Sequence, residues 1–290
     1  MAQISQKGCA LITGAGGRLG RLLRAARDDS PGLIHDFLFQ SRSNGADVLW
    51  RPGHPTDVLP ACDAIIALWG ATAGDEDQLA LNETLVTLGS DLARDLGAQR
   101  VVHLSSAAVY GPGQNMHEDH ATGNCNQYGK SKLRMEAAVD QERQKGDLTH
   151  LCLRLANVVG ADSLAPALRG ERPTRIDDFD PAPGSHQGPV RSYIGAKGLI
   201  TILDALLSLP ADRWPPVLNI AAPNPIPMEA LARAAGQRVI WQPAPETAVA
   251  EVSLDVSRLQ ALLPGIDARM TAEDAAADLI AEWLRLESRA

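Results

Sequence analysis

The sequence predicts an α/β protein built on a doubly wound parallel sheet, and three observations carry that reading. Short runs rich in Ala, Ile, Leu and Val span 8–13, 63–69 and 101–105 and lead into glycine or serine, as buried parallel strands do. Longer stretches between them carry leucines at helical spacing, first Leu19, Leu22 and Leu23, then Leu79, Leu85, Leu88, Leu92 and Leu96. Strand and helix alternate through the first half of the chain, the pattern of parallel strands joined by crossover helices.

Each element has its own signal. Gly97 follows the helical leucines, where a helix C-cap needs positive φ, and the strand at Val101 starts soon after. A helix from Lys130 to Arg143 is broken by Gly146 and Asp147 before a strand at 151–156. Between Ala161 and Pro189, prolines at 166, 173, 181, 183 and 189 mix with Asp, Gly and Arg, which predicts an irregular lid or insertion. Beyond it, 195–209 reads as a helix, 217–221 as a strand and 271–286 as a terminal helix. Thr271 and Asp274 cap that last helix, and Leu279, Ile280, Trp283 and Leu284 form its buried face.

Composition narrows the function classes. With 45% hydrophobic and 21% charged residues the chain of 290 is an ordinary globular protein, and its net charge of -8 argues against a nucleic-acid footprint. No run approaches eighteen apolar residues, so no membrane span is expected. The four cysteines, at 9, 62, 125 and 152, lack the density of a disulfide scaffold and the spacing of a zinc site, so a reducing cytoplasm is expected. His117 and His120, with Glu118 and Asp119, read as a solvated turn, and no metal is expected.

The first chemical motif is Thr13-Gly14-Ala15-Gly16-Gly17-Arg18-Leu19-Gly20, placed after a strand and opening a helix. A dinucleotide pyrophosphate needs backbone without side chains in its way and the free N–H groups of a helix N-terminus, and glycines supply the approach. Some twenty residues further on, where an Asp or Glu would meet an NAD ribose, stand Gln40, Ser41 and Arg42. Arg42, with Arg18 as a second candidate, is suited to a 2′-phosphate, so NADP is expected over NAD. Asp36 takes the ribose instead if the second strand ends earlier than read here.

The second motif is Tyr128-Gly129-Lys130-Ser131-Lys132, which puts a phenol and an ammonium on one helix face. The same spacing also describes a surface pair. A phenol with a pKa near ~10 needs about 4 kcal/mol of phenolate stabilisation to reach ~7, and a nearby lysine charge supplies it. Ser105-Ser106 ends the preceding strand, where such sheets place their sites, and Ser106 is the expected partner for a substrate oxygen. Cys125 is a minor candidate for a further acid/base.

With these motifs in order, the chain resembles the extended short-chain dehydrogenase/reductase family, also described as the NAD-dependent epimerase/dehydratase family. The resemblance spans most of the length. It adds Ser106-Ala-Ala-Val-Tyr-Gly, Arg154-Leu-Ala-Asn157-Val-Val-Gly160, Val190-Arg191-Ser-Tyr193-Ile194, Val217-Leu-Asn219-Ile-Ala, and Asn82 in the helix before the Ser106 strand. It implies a Rossmann-type domain over 1–160, with 190–222 returning to it, and a smaller substrate-binding region from 161–189 and 223–290.

It also implies Tyr128 as acid/base, Lys132 lowering its pKa and holding the nicotinamide ribose, and Ser106 bonding the reacting oxygen. Asn157 and Arg191 would face a nucleotide-sugar, Arg191 at its diphosphate, and a homodimer would form through the helices of Asn82 and Lys132. The sugar 4,6-dehydratases of the family carry Asp-Glu after the catalytic hydroxyl residue, where this chain has Ala107-Ala108, so that dehydration is not expected. The expected function is an NAD(P)-dependent epimerase or oxidoreductase of a nucleotide-sugar. A carbonyl reductase of a smaller substrate and a cofactor-binding sensor without turnover are the alternatives.

Overall fold

The computed structural model describes residues 7–43, 45–180, 182, 184–266 and 275–290. The chain opens with β1 (Cys9–Thr13), α1 (Arg18–Asp28), β2 (Asp36–Ser41), β3 (Val48–Leu49), β4 (Ala64–Ala67) and α2 (Glu76–Leu96). It continues through β5 (Arg100–Ser106), β6 (Gly113–Met116), α3 (Gln127–Gln144), β7 (Thr149–Leu155), β8 (Asn157–Val158) and α4 (Ala165–Leu168). Next come β9 (Thr174–Asp178), β10 (Val190–Arg191), β11 (Tyr193–Ile194), α5 (Ala196–Ser208) and β12 (Val217–Ile220). The last elements are β13 (Ile226–Pro227), α6 (Met228–Ala234), β14 (Val239–Pro243), β15 (Glu251–Leu254), α7 (Ser257–Leu262) and α8 (Ala275–Glu287).

Seven strands form one sheet in the order β12-β7-β5-β4-β1-β2-β3, and every pair is parallel. Alternation along each strand feeds two cores. Ala10, Ile12, Ile66 and Val102 join the cluster containing Leu22, Leu23 and α5, while Leu11, Ile65 and Val101 join Leu92, Ala93 and Leu96 on the other face. Helices α1, α5 and α8 pack together, as do α2 and α3, so the sheet is covered on both sides as a parallel sheet requires. The chain winds away from β1 in both directions, which opens a crevice beyond the carboxyl ends of β1 and β4.

Local chemistry explains the ends. Asp75 and Gln78 form a capping box at the start of α2, and Gly97 closes it at φ 74, the left-handed conformation the sequence predicts there. The 161–189 segment is less irregular than expected. It holds α4 and β9, and β9 pairs in parallel with β14, because register partners that lie far along the chain supply the missing backbone bonds. A separate four-stranded sheet runs β13-β10-β15-β6.

The terminal helix corrects one expectation. Its buried stripe is Ala276, Ile280, Trp283 and Leu286, and Leu284 is 53% exposed, since it lies one position off that stripe. Leu279 is half-buried, and the capping pair Thr271 and Asp274 lies outside the described residues.

Two histidines stack in the interior. His103 on β5 and His150 on β7 share one Nε2···Nδ1 hydrogen bond of 3.1 Å, and burial pushes their pKa values down to about 3 and about 4. The folded rings are therefore neutral while unfolded ones, near 6.5, take up protons. Stability is expected to be full above pH 6.5 and to fall as pH drops toward 4, by up to about 3 kcal/mol per pH unit for the two rings together. Urea titrations at pH 7 and pH 5 test this: a His103→Leu/His150→Leu variant should lose less stability between them than the parent.

Candidate active site

The crevice at β1 is lined by backbone because its glycines are forced. Gly14 follows β1 at φ 75, and a Cβ there would sit 2.9 Å from the backbone nitrogen of Trp69. At Gly20 a Cβ would fall 2.5 Å from the Cα of Ala15, which would push α1 off the loop. Gly17 is the N-cap of α1, with no side-chain cap and no acidic residue in the first turn, and Gly16 is exposed beside it. The free N–H groups of that turn fit a dinucleotide pyrophosphate. Leu19 anchors the turn in the core, whereas Arg18 is exposed and donates to the Asp162 carbonyl at 3.3 Å.

The end of β2 carries no carboxylate. Asp36 opens that strand and so lies at the end away from the crevice, which removes it as a ribose partner. Gln40 is buried, accepting from the Gly14 N–H at 3.3 Å and donating to the Trp50 carbonyl at 2.5 Å. Arg42 is exposed immediately after the strand, and the Ser41 Oγ lies where a Cβ on Gly16 would approach within 3.0 Å.

The structure brings Ser106, Tyr128 and Lys132 together. Ser106 ends β5, and its Oγ accepts the Ala108 N–H at 3.2 Å, capping one turn of 3-10 helix. Tyr128 stands in the first turn of α3, which Asn126 caps, and its phenol faces the Ser106 hydroxyl, which favours the phenolate. Gly129 allows the close fit, since a Cβ there would lie 2.4 Å from the Ala108 oxygen. One turn on, the Lys132 Nζ is 5.9 Å from the Tyr128 ring centre and donates to the Leu104 carbonyl at 2.8 Å. Asn82 ties these pieces to α2, donating to the Ser131 hydroxyl and exchanging two bonds with the Ala71 backbone.

Burial sets the electrostatics. It raises the Tyr128 phenol above its ordinary value against the opposing bond to Ser106, and it pushes Lys132 down to about 8. The sequence-based expectation of a phenol lowered by Lys132 does not hold for the protein alone, because desolvation of Tyr128 is the larger effect. Burial likewise raises the Cys125 thiol, which makes it a poor base.

Asn157 lies two residues beyond Leu155, the register partner of Ser106, whereas Arg191 belongs to β10 of the separate four-stranded sheet. Asn157 opens β8 and pairs with Tyr193 of β11. Arg191 donates to the carbonyls of Val190, Val249 and Ala250, at 2.7 to 3.2 Å, and no carboxylate pairs with it among the described residues. His117 and His120 meet edge to face in a turn, and among the described residues no group of His, Cys, Asp or Glu has the makings of a metal site. A groove of about 730 Å³ lies along β9 and β14, lined by Asp178, Asp180, Glu246, His186, Phe179 and Trp241 among others.

Sequence reasoning read Glu118 as part of a solvated turn, which its burial corrects, and gave no role to Glu136 and none beyond motif membership to Arg154, Tyr110 and Asn219, yet these five join in one buried chain. Arg154 grips Glu136 with Nε and Nη2, at 3.0 and 2.8 Å, and its Nη1 donates to the Tyr110 hydroxyl and the Glu118 carbonyl. Tyr110 donates to Asn219, whose own N–H reaches Glu118. The motif strings containing Tyr110, Arg154 and Asn219 were the available signal, but only the fold shows that they meet.

Comparison with known proteins bears on the fold and the family. A dTDP-6-deoxy-L-talose 4-dehydrogenase (NAD(P)(+)) of Kitasatospora kifunensis is 30% identical over 161 residues, covering 53% of this chain and 50% of that protein. The chain thus matches about half the length of that relative. Among solved structures, MoeE5 in complex with UDP-glucuronic acid and NAD superimposes with a TM-score of 0.75 at 21% identity, over 97% of this chain and 100% of the other. A UDP-glucose 4-epimerase from Bifidobacterium longum, in complex with NAD+ and UDP, gives 0.69 at 19% identity, over 97% and 98%. Both show the same Rossmann-type fold. The model of the NAD dependent epimerase/dehydratase family matches residues 10–177, more than half the chain, and the protein belongs to that family.

Proposed function

We propose that the protein is an NAD(P)-dependent epimerase or oxidoreductase acting on a hydroxyl or carbonyl of a nucleotide-sugar. The observation that carries this is the Tyr128 phenol facing Ser106 at the end of β5, with Lys132 one helical turn behind. The relatives named above bear on dTDP- and UDP-sugars, which supports that substrate class. A bound nicotinamide supplies or takes the hydride.

The chain's own groups handle the proton. With its raised pKa, Tyr128 is protonated at neutral pH and is set to donate to an oxygen held by Ser106, the acid that carbonyl reduction needs. In the opposite direction the phenolate form of Tyr128 accepts the hydroxyl proton, and Lys132, charged below about pH 8, favours that form. The Leu104 carbonyl orients the Lys132 ammonium. Asn157 and Arg191 are assigned to substrate, and α2 with α3 to a homodimer contact. Four free thiols, Cys9 and Cys62 with sulfurs 3.3 Å apart, suit the cytoplasm.

NADP is favoured over NAD, since Arg42 and the Ser41 hydroxyl stand where an acidic residue would have met the ribose. Arg42→Ala is expected to weaken NADPH binding roughly tenfold or more and to leave NADH unchanged, a charge-assisted phosphate contact being worth about 1.5–3 kcal/mol. Fluorescence titration of both cofactors checks this, and equal losses for the two would remove Arg42 from 2′-phosphate recognition.

One observation favours a second reading, a carbonyl reductase of a smaller substrate. The groove along β9 and β14 carries three carboxylates, Asp178, Asp180 and Glu246, which repel a diphosphate there. Incubation with UDP- and dTDP-sugars decides between them. Interconversion with only catalytic cofactor supports the epimerase, nucleotide-sugar turnover with stoichiometric cofactor use supports the oxidoreductase, and no turnover of any nucleotide-sugar sinks the main reading.

A further inference from the structure

We propose that Glu136, a residue outside the Ser106, Tyr128 and Lys132 trio, is its positioning residue, acting through Lys132 by keeping that ammonium charged at neutral pH. This rests on the reading of Tyr128 and Lys132 as the proton-transfer pair. Glu136 lies one helical turn beyond Lys132 on α3, so the two side chains share a face. Both are buried, Lys132 at 5% and Glu136 at 9% exposure. In such surroundings an ammonium loses its proton readily unless an anion stands close.

The placement of that anion is fixed from two strands. The Glu136 Oε1 accepts from the Ser105 hydroxyl of β5 at 2.5 Å and from Arg154 Nε of β7 at 3.0 Å, and Oε2 accepts from Arg154 Nη2 at 2.8 Å. Arg154 is held in turn by the Tyr110 hydroxyl and the Glu118 carbonyl. A carboxylate with both oxygens so bonded stays in place.

The groups facing Lys132 single out Glu136. From α3 come Tyr128 and Glu136, from β5 His103, and from β7 Cys152 and Arg154, while α2 contributes the uncharged Asn82. Tyr128 and His103 are neutral at pH 7, and burial holds the Cys152 thiol well above its ordinary value. Glu136 is then the one of these that carries negative charge. Arg154 reaches it from the opposite strand and offsets part of its field.

The test reads Lys132 directly and needs neither substrate nor cofactor. The chain has five lysines, so a two-dimensional spectrum of their 15N-labelled Nζ groups is assignable, with Lys132→Met marking the signal. Glu136→Gln is expected to lower the Lys132 titration midpoint by about one pH unit, the scale of a nearby opposite charge, and Glu136→Asp to restore most of it. If Glu136→Gln does not fold, the neutral pair Glu136→Gln/Arg154→Gln is used, with the midpoint moving the same way by less. A folded variant with an unmoved midpoint, whatever its melting temperature, overturns the proposal and leaves the proposed function standing.

Discussion

Tyr128→Phe is expected to lower turnover by about 10²–10⁴-fold, the usual contribution of a positioned acid or base. The substitution removes only the hydroxyl that meets Ser106, and the ring keeps its place between Ser106 and the face of Lys132. Cofactor affinity and melting temperature should therefore stay as in the parent. Steady-state turnover beside a cofactor titration separates the effects. Loss of rate with unchanged binding identifies an interaction made in the transition state, about 3–5 kcal/mol of it. A variant that keeps its rate within tenfold would take Tyr128 out of the chemistry and favour a protein that binds cofactor without turning it over.

Arg154→Ala should have the largest effect on stability. It leaves Glu136 buried with one serine partner, and removing one member of a buried ion pair costs about 3–5 kcal/mol. The Tyr110 hydroxyl and the Glu118 carbonyl lose a donor as well. For a chain of this size the melting temperature is expected to fall on the order of 10 °C. Calorimetry checks it, with Arg172→Ala as the control, since Arg172 is exposed and bonds only the Ser163 carbonyl among the described residues. A loss below about 1 kcal/mol would show that the buried chain contributes little to the fold.

The two predictions concern different kinds of residue, and the sequence made them legible to different degrees. The glycine loop and the Tyr128–Lys132 pair are local: each needs only a few consecutive residues and a known strand or helix to say what it does. The sheet was legible for the same reason, because burial on both faces leaves continuous apolar runs such as Ala64 to Ala67. Other features depended on residues that meet only after folding. Tyr110 and Asn219 are 109 positions apart, and Ser105 and Glu136 are 31 apart, so no spacing rule connects them.

The same distinction holds for individual side chains. Sequence set a pair of serines at the end of β5 and favoured Ser106 for the site, but tertiary packing alone shows Ser105 turned to Glu136 and Ser106 to Tyr128. Sequence set a cation at Arg191, and packing decided that its guanidinium rests on three backbone carbonyls. It determined the ionisable types at Tyr128 and Lys132, whereas the direction of each pKa followed from burial. Periodicity and motif spacing are properties of neighbouring residues, and desolvation and hydrogen-bond partners are properties of what the fold packs around them.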